Sequence, residues 1–417
     1  MIQPAANRDL PSPWFAWRMS AYFAALFLIY GIHVSYFPVW LSWRGLEPEQ
    51  IGIITALPIL IRVALTPMLA AYADAHRNHR DVIIALSCTA AAFVVAVMGA
   101  ASFWAILGAA IPYAIATSTV MPLTETIAVS GVQTAGHDYG RMRLWGSLAF
   151  LAATVATGYL SDVMGAPVII QALLVASLVT AAASWLLPKP VAPPSAPAGH
   201  APNETERGLV LALLKQPVFV AFLLAVGAIM SSHAAFYTFG AIHLHGQGVS
   251  GQAFGILWAV SIVAEIVVLA FSAEVLARLD PLRLLMMAGC AGIVRWGAMS
   301  QDPPYAAILL LQALHGATYG AAHLGAIHFI ARAVPGRGAG TAQALYSSIS
   351  HGLFTALATL AAGHVYPGLA GRTFLVMAAL CGIGVGAAIW LLKTWDGQPL
   401  IEAGVRPTPT APNLVEQ

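Results

Sequence analysis

The stretch from residue 217 to residue 241, PVFVAFLLAVGAIMSSHAAFYTFGA, runs for 25 residues without an aspartate, a glutamate, a lysine or an arginine. A helix needs about 20 predominantly apolar residues to cross the hydrocarbon core of a bilayer. The stretch is long enough for one crossing, and similar stretches recur along the chain. The sequence therefore predicts an all-α, multi-pass membrane protein.

Twelve such segments can be recognised, and one long polar interruption, 189–216, divides them into two groups of six. Its proline-rich composition predicts a flexible linker between an N-terminal six-helix bundle, 1–188, and a C-terminal six-helix bundle, 217–394. The remaining tail, 395–417, is predicted to be disordered. The predicted segments are 19–41, 50–73, 82–101, 104–128, 143–162, 166–187, 217–241, 251–276, 282–299, 305–331, 340–363 and 373–394.

The composition agrees with this class of protein. Only 9% of the 417 residues are charged, whereas a soluble domain carries roughly 25%. The net charge of +2 gives no reason to expect a nucleic-acid partner. No cofactor and no metal site is predicted, because His243 and His245 alone supply too few ligands for a metal ion.

The basic residues predict the orientation of the chain. Arg44 and Arg372 fall on one side of the membrane, and Arg62 and Arg295 lie within segments; the other fifteen of the 19 lysines and arginines fall on the opposite side. Cytoplasmic loops are enriched in these residues. Both termini are therefore predicted to be cytoplasmic.

Four charged residues of the predicted segments are candidates for functional sites, namely Arg62, Glu125, Glu265 and Arg295. A charged side chain at the bilayer centre is costly, so such residues usually face a cavity or a partner and mark functional sites. Two acids and two bases also allow the alternative that they form structural ion pairs. We favour the functional interpretation.

Polar and aromatic residues recur at helical spacing in the second half and predict the lining of a wet cavity. A cavity that offers arginine, aromatic rings and histidine suits an aromatic or hydroxylated solute, because arginine can bind a carboxylate and tryptophan can stack on a ring. The residues in these patterns are Gln312, His315, Tyr319 and His323, Trp258 and Glu265, His233 and Tyr237, and Gln343 and Tyr346.

The stretch HDYGRMRLWGS at 137–147 resembles the start of the fifth helix in the major facilitator superfamily, and more narrowly the phenylpropionate permease-like branch related to the lactose permease group. PLTE at 122–125, VRWG at 294–297 and QALHG at 312–316 resemble that branch in the same order. The loop after the second segment keeps Asp74 of the superfamily motif but departs from it at Arg77. With Arg80, these residues are predicted to form a conformational loop.

The resemblance implies a two-bundle fold, alternating access and proton symport, in a bacterial inner membrane. It implies that Glu125 and Arg143 contact the substrate and that Glu265, Arg295 and His315 serve coupling. The lactose group has a glutamate where this chain has Thr318, so Glu265 or His323 is the candidate proton carrier. Arg62 has no counterpart in the lactose group but resembles a position of the phenylpropionate branch, and it is the predicted residue that binds a substrate carboxylate.

We therefore predict a monomeric, proton-coupled transporter of a small aromatic carboxylate, with Trp145 and Trp258 stacking on its ring. Three alternatives stay open: a sugar or nucleoside as solute, an exporter by proton antiport, and a membrane enzyme or sensor that does not transport. The partners expected are the small-molecule substrate, protons and the lipid bilayer.

Overall fold

A computed structural model describes residues 14–76, 78–188, 204–336 and 338–401. Predictions about Arg77, about the linker stretch 189–203 and about the tail beyond residue 401 lie outside these residues. Within the described ranges the chain is helical, with no β-strand. Ten helical runs are long and apolar enough to cross a membrane, and the run 338–394 extends over 57 residues. The chain is thus a multi-pass membrane protein, and the number of twelve crossings stays a prediction.

Seventeen α-helices are present in the described chain, together with two π-helical turns, Gly316–Gly320 and Ser347–Phe354, and a 3-10 turn, Ala370–Arg372. The helices are α1 Phe15–Trp43, α2 Pro48–Ala75, α3 His79–Gly99, α4 Phe103–Ala135, α5 Tyr139–Met164, α6 Pro167–Ser184, α7 Glu204–Leu214, α8 Pro217–Ser231, α9 Ala234–Gly246, α10 Gly251–Ala270, α11 Ser272–Arg278, α12 Pro281–Met299, α13 Tyr305–Ala313, α14 Ala321–Ala333, α15 Gly338–Tyr346, α16 Thr355–Leu369 and α17 Thr373–Thr394.

Sequence signals account for many of the helix starts. Side chains of Ser102, Asp138 and Ser250 accept backbone N–H groups at the first turns of α4, α5 and α10, which satisfies donors that have no partner within the helix. Proline stands at the first turn of α2, α6, α8 and α12, where its missing N–H costs nothing.

Two stretches differ from the sequence-based expectation. Residues 204–214 of the predicted flexible linker form α7. The predicted disordered tail packs on the second half as far as residue 401: the Trp395 ring lies 4.7 Å from that of Phe329, and the Leu400 N–H donates to the Ala333 carbonyl at 2.7 Å. The apolar side chains of the tail bury surface there, which a composition-based argument for disorder overlooks.

Three apolar clusters organise the packing. We call α1–α6 the first half and α8–α17 the second half, and we call the face with the loops 44–47, 165–166 and 247–250 the distal face. One cluster joins Tyr36 and Ile54 of the first half to Phe254 of the second half, near the distal face. The other two clusters lie away from that face: one is built from the first half, and the other from the second half together with α7.

Close backbone contacts complete the joint between the halves at the distal face. A β-carbon on Gly158 would meet the Gly251 carbonyl oxygen at 2.3 Å, and one on Gly52 would meet the Gly363 α-carbon at 3.1 Å. The Asp162 carboxylate accepts the N–H groups of Gly251 and Gln252, at 2.6 and 2.9 Å. The joint therefore depends on positions without side chains and on one acid that binds the start of α10.

Candidate functional site

A cavity of about 520 Å³ lies between the halves. A volume in this range suits a small-molecule ligand. Its wall comes from α1, α2 and α4 of the first half, and from the break between α8 and α9, both π-helical turns and the start of α16 in the second half. The polar or aromatic lining residues include Tyr30, His33, Thr55, Arg62, Tyr113, Thr117, Tyr237, Tyr319, His351, Thr355 and Thr359.

Both π-helical turns place a side chain on the cavity wall. Tyr319 lies in the first turn and His351 in the second, and the Tyr319 hydroxyl lies 3.3 Å from His351 Nε2. A π-helical turn holds one more residue than an α-helical turn and is frequent at functional sites. Gly316 lets the first turn approach α10, because a β-carbon there would meet the Ala264 carbonyl oxygen at 2.4 Å.

Arg62 is the one lysine or arginine on the cavity wall within the described chain. Its Nη2 donates to the His351 carbonyl at 3.4 Å, a long contact across the two halves. Among the described residues, no carboxylate lies within 4.0 Å of its guanidinium. A half-buried guanidinium with one weak partner is suited to bind an anionic group of a ligand.

Of the residues predicted to bind substrate, Arg62, Tyr237 and Tyr319 line the cavity. Trp258 is 4% exposed and stacks behind Tyr237, with ring centroids 5.2 Å apart. It supports the wall rather than forming it. His233 is fully buried beside the cavity and belongs to a polar cluster described below.

The other predicted binding residues lie elsewhere. Glu125 accepts a hydrogen bond from the Tyr139 hydroxyl at 3.2 Å, and the Arg143 guanidinium lies 3.9 Å from the centre of the Phe27 ring. Trp145 is 57% exposed on α5, away from the cavity wall. Gln343 is also exposed and away from that wall.

Several lining residues escaped sequence analysis, notably Tyr30, His33, Tyr113 and His351. In α1, Tyr30, His33 and Phe37 are spaced three and four residues apart and all line the cavity. That periodicity was available in the sequence. The periodicity was overlooked because this face of α1 carries no charged residue that would have indicated a functional role.

Arg295 is the centre of a polar cluster behind the cavity. It is 1% exposed, and its guanidinium donates to Gln312 Oε1 at 2.6 Å, to Thr318 Oγ1 at 3.0 Å and to His315 Nδ1 at 3.2 Å. Because an arginine can only donate, this contact assigns the proton of a neutral His315 to Nε2. Nε2 lies 3.6 Å from a carboxylate oxygen of Glu265.

Thr318 links this cluster to the break between α8 and α9. His233 Nδ1 donates to the Met230 carbonyl at 3.1 Å, so its Nε2 is left to accept the Thr318 hydroxyl at 3.0 Å. His315 stacks on Tyr319 of the cavity wall, with ring centroids 5.2 Å apart. One face of the cluster therefore touches the cavity through aromatic rings.

His323, the second candidate proton carrier, lies apart from Arg295. Its Nδ1 is 2.9 Å from the hydroxyl of buried Tyr346. The predicted conformational loop is represented by Asp74, whose carboxylate lies 2.6 Å from His79 Nε2, and by Arg80, which donates to the Trp185 carbonyl at 2.8 Å. Both contacts lie within the first half.

Comparisons with known proteins agree on one family. The family model described as MFS_1 like family matches residues 16–376. The "Probable 3-phenylpropionic acid transporter" of Escherichia coli (strain K12) is 31% identical over 364 residues, which cover 87% of this chain and 94% of that protein. The "Maltose permease" of Geobacillus stearothermophilus is 29% identical over 388 residues, which cover 93% and 95%.

Solved structures agree on the fold. The nucleoside transporter NupG superposes with a TM-score of 0.78 at 17% identity, over 92% of this chain and 99% of that chain. A D-xylose-proton symporter superposes with a TM-score of 0.65 at 12% identity, over 93% and 98%. At these identities the likeness concerns the fold alone.

Proposed function

The chain belongs to the MFS_1 like family of membrane transporters, and from that premise we propose that it carries a small aromatic carboxylate together with protons by alternating access. Its matched relatives are transporters rather than enzymes. The single observation that carries the substrate class is Arg62, the one lysine or arginine that the described residues place on the wall of a mostly apolar and aromatic cavity.

In this proposal Arg62 binds the carboxylate of the substrate. Tyr319 and His351 stand beside it on the second half and can donate to a carboxylate oxygen. Tyr237, backed by Trp258, offers a flat face for an aromatic ring. The relative named as a 3-phenylpropionic acid transporter supports the same class of solute.

Proton coupling is assigned to Glu265 and His315. Arg295 donates to His315 Nδ1, so the protonated Nε2 of the imidazole faces the Glu265 carboxylate. A proton taken up at Glu265 therefore changes its interaction with this ring nitrogen. The His315 ring also stacks on Tyr319 of the substrate cavity. Substrate binding and protonation at Glu265 can therefore influence each other through two adjacent rings.

The conformation fits one stage of the cycle. The halves pack together at the distal face and have separate apolar clusters away from it. If both termini are cytoplasmic, as the lysine and arginine distribution predicts, the protein is closed towards the outside. The proposed location is a bacterial inner membrane, with the single chain as the working unit.

Uptake by the purified protein in vesicles tests this proposal. We expect radiolabelled 3-phenylpropionate to accumulate when the outside is made acidic, and Arg62→Gln to abolish the uptake. Glu265→Gln should keep exchange of labelled for unlabelled substrate but lose accumulation driven by the gradient. Accumulation by the unaltered protein that ignores the imposed gradient would remove the proton coupling.

A neutral hydroxylated solute is the second candidate, favoured by five threonines on the cavity wall and by the relative named maltose permease. The five are Thr55, Thr117, Thr238, Thr355 and Thr359. Competition distinguishes the candidates. Inhibition of uptake by maltose or xylose, without inhibition by aromatic acids, would replace the carboxylate assignment.

A further inference from the structure

We propose that the substrate carries a hydroxyl group on its aromatic ring, received by His33 and Tyr113. The proposal rests on the proposed function and narrows it from aromatic carboxylates in general to ring-hydroxylated ones. It assigns a specificity role to two first-half residues that lie apart from the carboxylate anchor.

Tyr113 presents an unsatisfied polar group. Its side chain is 2% exposed and lines the cavity, and its hydroxyl has no hydrogen-bonding partner among the described residues. Buried hydroxyl groups in proteins are nearly always hydrogen-bonded, because leaving one unpaired costs free energy. Because the Tyr113 side chain lines the cavity, a ligand there can supply the partner that the described residues do not.

His33 stands beside it with the complementary groups. The two ring centroids are 5.2 Å apart, and His33 also stacks on Phe37 at 4.8 Å. His33 makes these ring contacts but no hydrogen bond within the described chain. A neutral imidazole offers one donor and one acceptor, and a tyrosine hydroxyl offers both. A phenol can thus donate to one of them and accept from the other.

Hydrogen bonds between helices fix the height of this pair relative to Arg62. The Thr66 and Thr119 hydroxyls lie 3.1 Å apart, which aligns α2 with α4. Arg62, four residues earlier in α2, is then level with residue 115 of α4. Tyr113 lies two residues further towards the distal face, a rise of about 3 Å.

The same argument places His33. The Tyr30 hydroxyl donates to the Thr117 carbonyl at 2.8 Å, which aligns α1 with α4. Because α1 runs in the opposite direction to α4, His33 is level with residue 114 and next to Tyr113. The pair therefore lies on the α1 and α4 side of the cavity, whereas Arg62 contacts the second half. A ligand that spans the cavity can touch both.

The chemistry favours a hydroxyl over a second carboxylate. No lysine or arginine other than Arg62 lines the cavity in the described chain, so a second anionic group would have no cation beside it. The aromatic surfaces of Tyr113 and of Phe37, which stacks on His33, suit a flat ring that bears one neutral polar substituent.

Binding of matched acids to the purified full-length protein tests the proposal. We expect 3-(4-hydroxyphenyl)propionate or its 3-hydroxy isomer to bind about tenfold more tightly than 3-phenylpropionate. Tyr113→Phe removes only the hydroxyl and keeps the ring. It should reduce the preference, taken as the ratio of the two dissociation constants measured on the same variant, to below twofold. His33→Phe keeps a ring beside Phe37 and provides a second, independent variant that should weaken the preference.

The outcomes separate this inference from the proposed function. Binding of 3-phenylpropionate without any preference for the hydroxylated acids overturns the inference and leaves the proposed function standing, since buried water would then satisfy Tyr113. Retention of the preference in Tyr113→Phe has the same meaning. If none of the three acids binds the unaltered protein, both the inference and the aromatic carboxylate assignment fail.

Discussion

The contact of Asp162 with the start of α10 should control how often the distal face opens. One carboxylate of the first half accepts two backbone N–H groups of the second half, at 2.6 and 2.9 Å. The two donors also carry the partial positive charge of a helix N-terminus. Asp162→Asn keeps the shape but removes the charge and one of the two acceptor oxygens.

The magnitude can be worked out from these two contacts. Losing one hydrogen bond to a charged group costs about 1.5 kcal/mol at an exposed site, and losing the helix-terminus interaction adds about 0.5 kcal/mol. A destabilisation of about 2 kcal/mol raises the open fraction about thirtyfold, and screening at this exposed position lowers that to between fivefold and thirtyfold.

With the distal face on the outside, as the proposed orientation has it, labelling from outside measures the open fraction. A cysteine at Thr55, which lines the cavity, can be placed in a background where Cys88, Cys290 and Cys381 are serine. In intact cells, we expect a membrane-impermeant maleimide to label it fivefold to thirtyfold faster in Asp162→Asn. The matched control is Asp138→Asn, because Asp138 accepts a backbone N–H of Arg141 at 3.1 Å within its own half. Equal labelling rates for Asp162→Asn and the control would refute the argument.

Two further predictions concern the polar cluster and the position at which the substrate ring binds. Thr318→Val removes the hydrogen-bonding partner of His233 Nε2 and one acceptor of the Arg295 guanidinium. We expect the free energy of unfolding to fall by about 2 kcal/mol, measured as a lower thermal midpoint in detergent. The control is Thr89→Val, whose hydroxyl contacts only its own helix and which should change the free energy of unfolding little. Trp145→Leu, at an exposed position on α5, should keep the dissociation constant for 3-phenylpropionate within twofold of that of the unaltered protein. Tyr237→Leu should weaken this binding more than tenfold. The reverse order would mean that the substrate ring binds at α5.

Composition and periodicity were sufficient to predict an all-α membrane protein, because every helix that crosses the hydrocarbon must be predominantly apolar and must pair its own backbone N–H and C=O groups. The same rule picked out Arg62 and Arg295, since a charge at membrane depth needs a justification. Arg62 reaches the cavity and Arg295 reaches a polar cluster. Contacts between distant positions stayed invisible: Asp162 and Gly251 are 89 residues apart, and nothing in either local sequence indicates the other.

The prediction from helical spacing was wrong where the α-helix is interrupted by a π-helical turn. Gln312, His315, Tyr319 and His323 were predicted to share one face, but the π-helical turn Gly316–Gly320 lies among them. A π-helical turn holds one more residue than an α-helical turn and so rotates the residues after the turn relative to those before it. Gln312 and His315 accordingly contact Arg295, Tyr319 lines the cavity, and His323 bonds Tyr346.

This rotation has a functional consequence. Without the extra residue, one polar face would put every ionisable group of the helix into the same water-filled space. With it, the residues before the turn face the buried arginine and Tyr319, within the turn, faces the ligand. The His315 ring stacks on Tyr319 and so touches both environments. Removing Ala317 from the turn should return the two sets to one face and uncouple substrate movement from proton movement. Every side chain that contacts Arg295 or lines the cavity is retained in that variant.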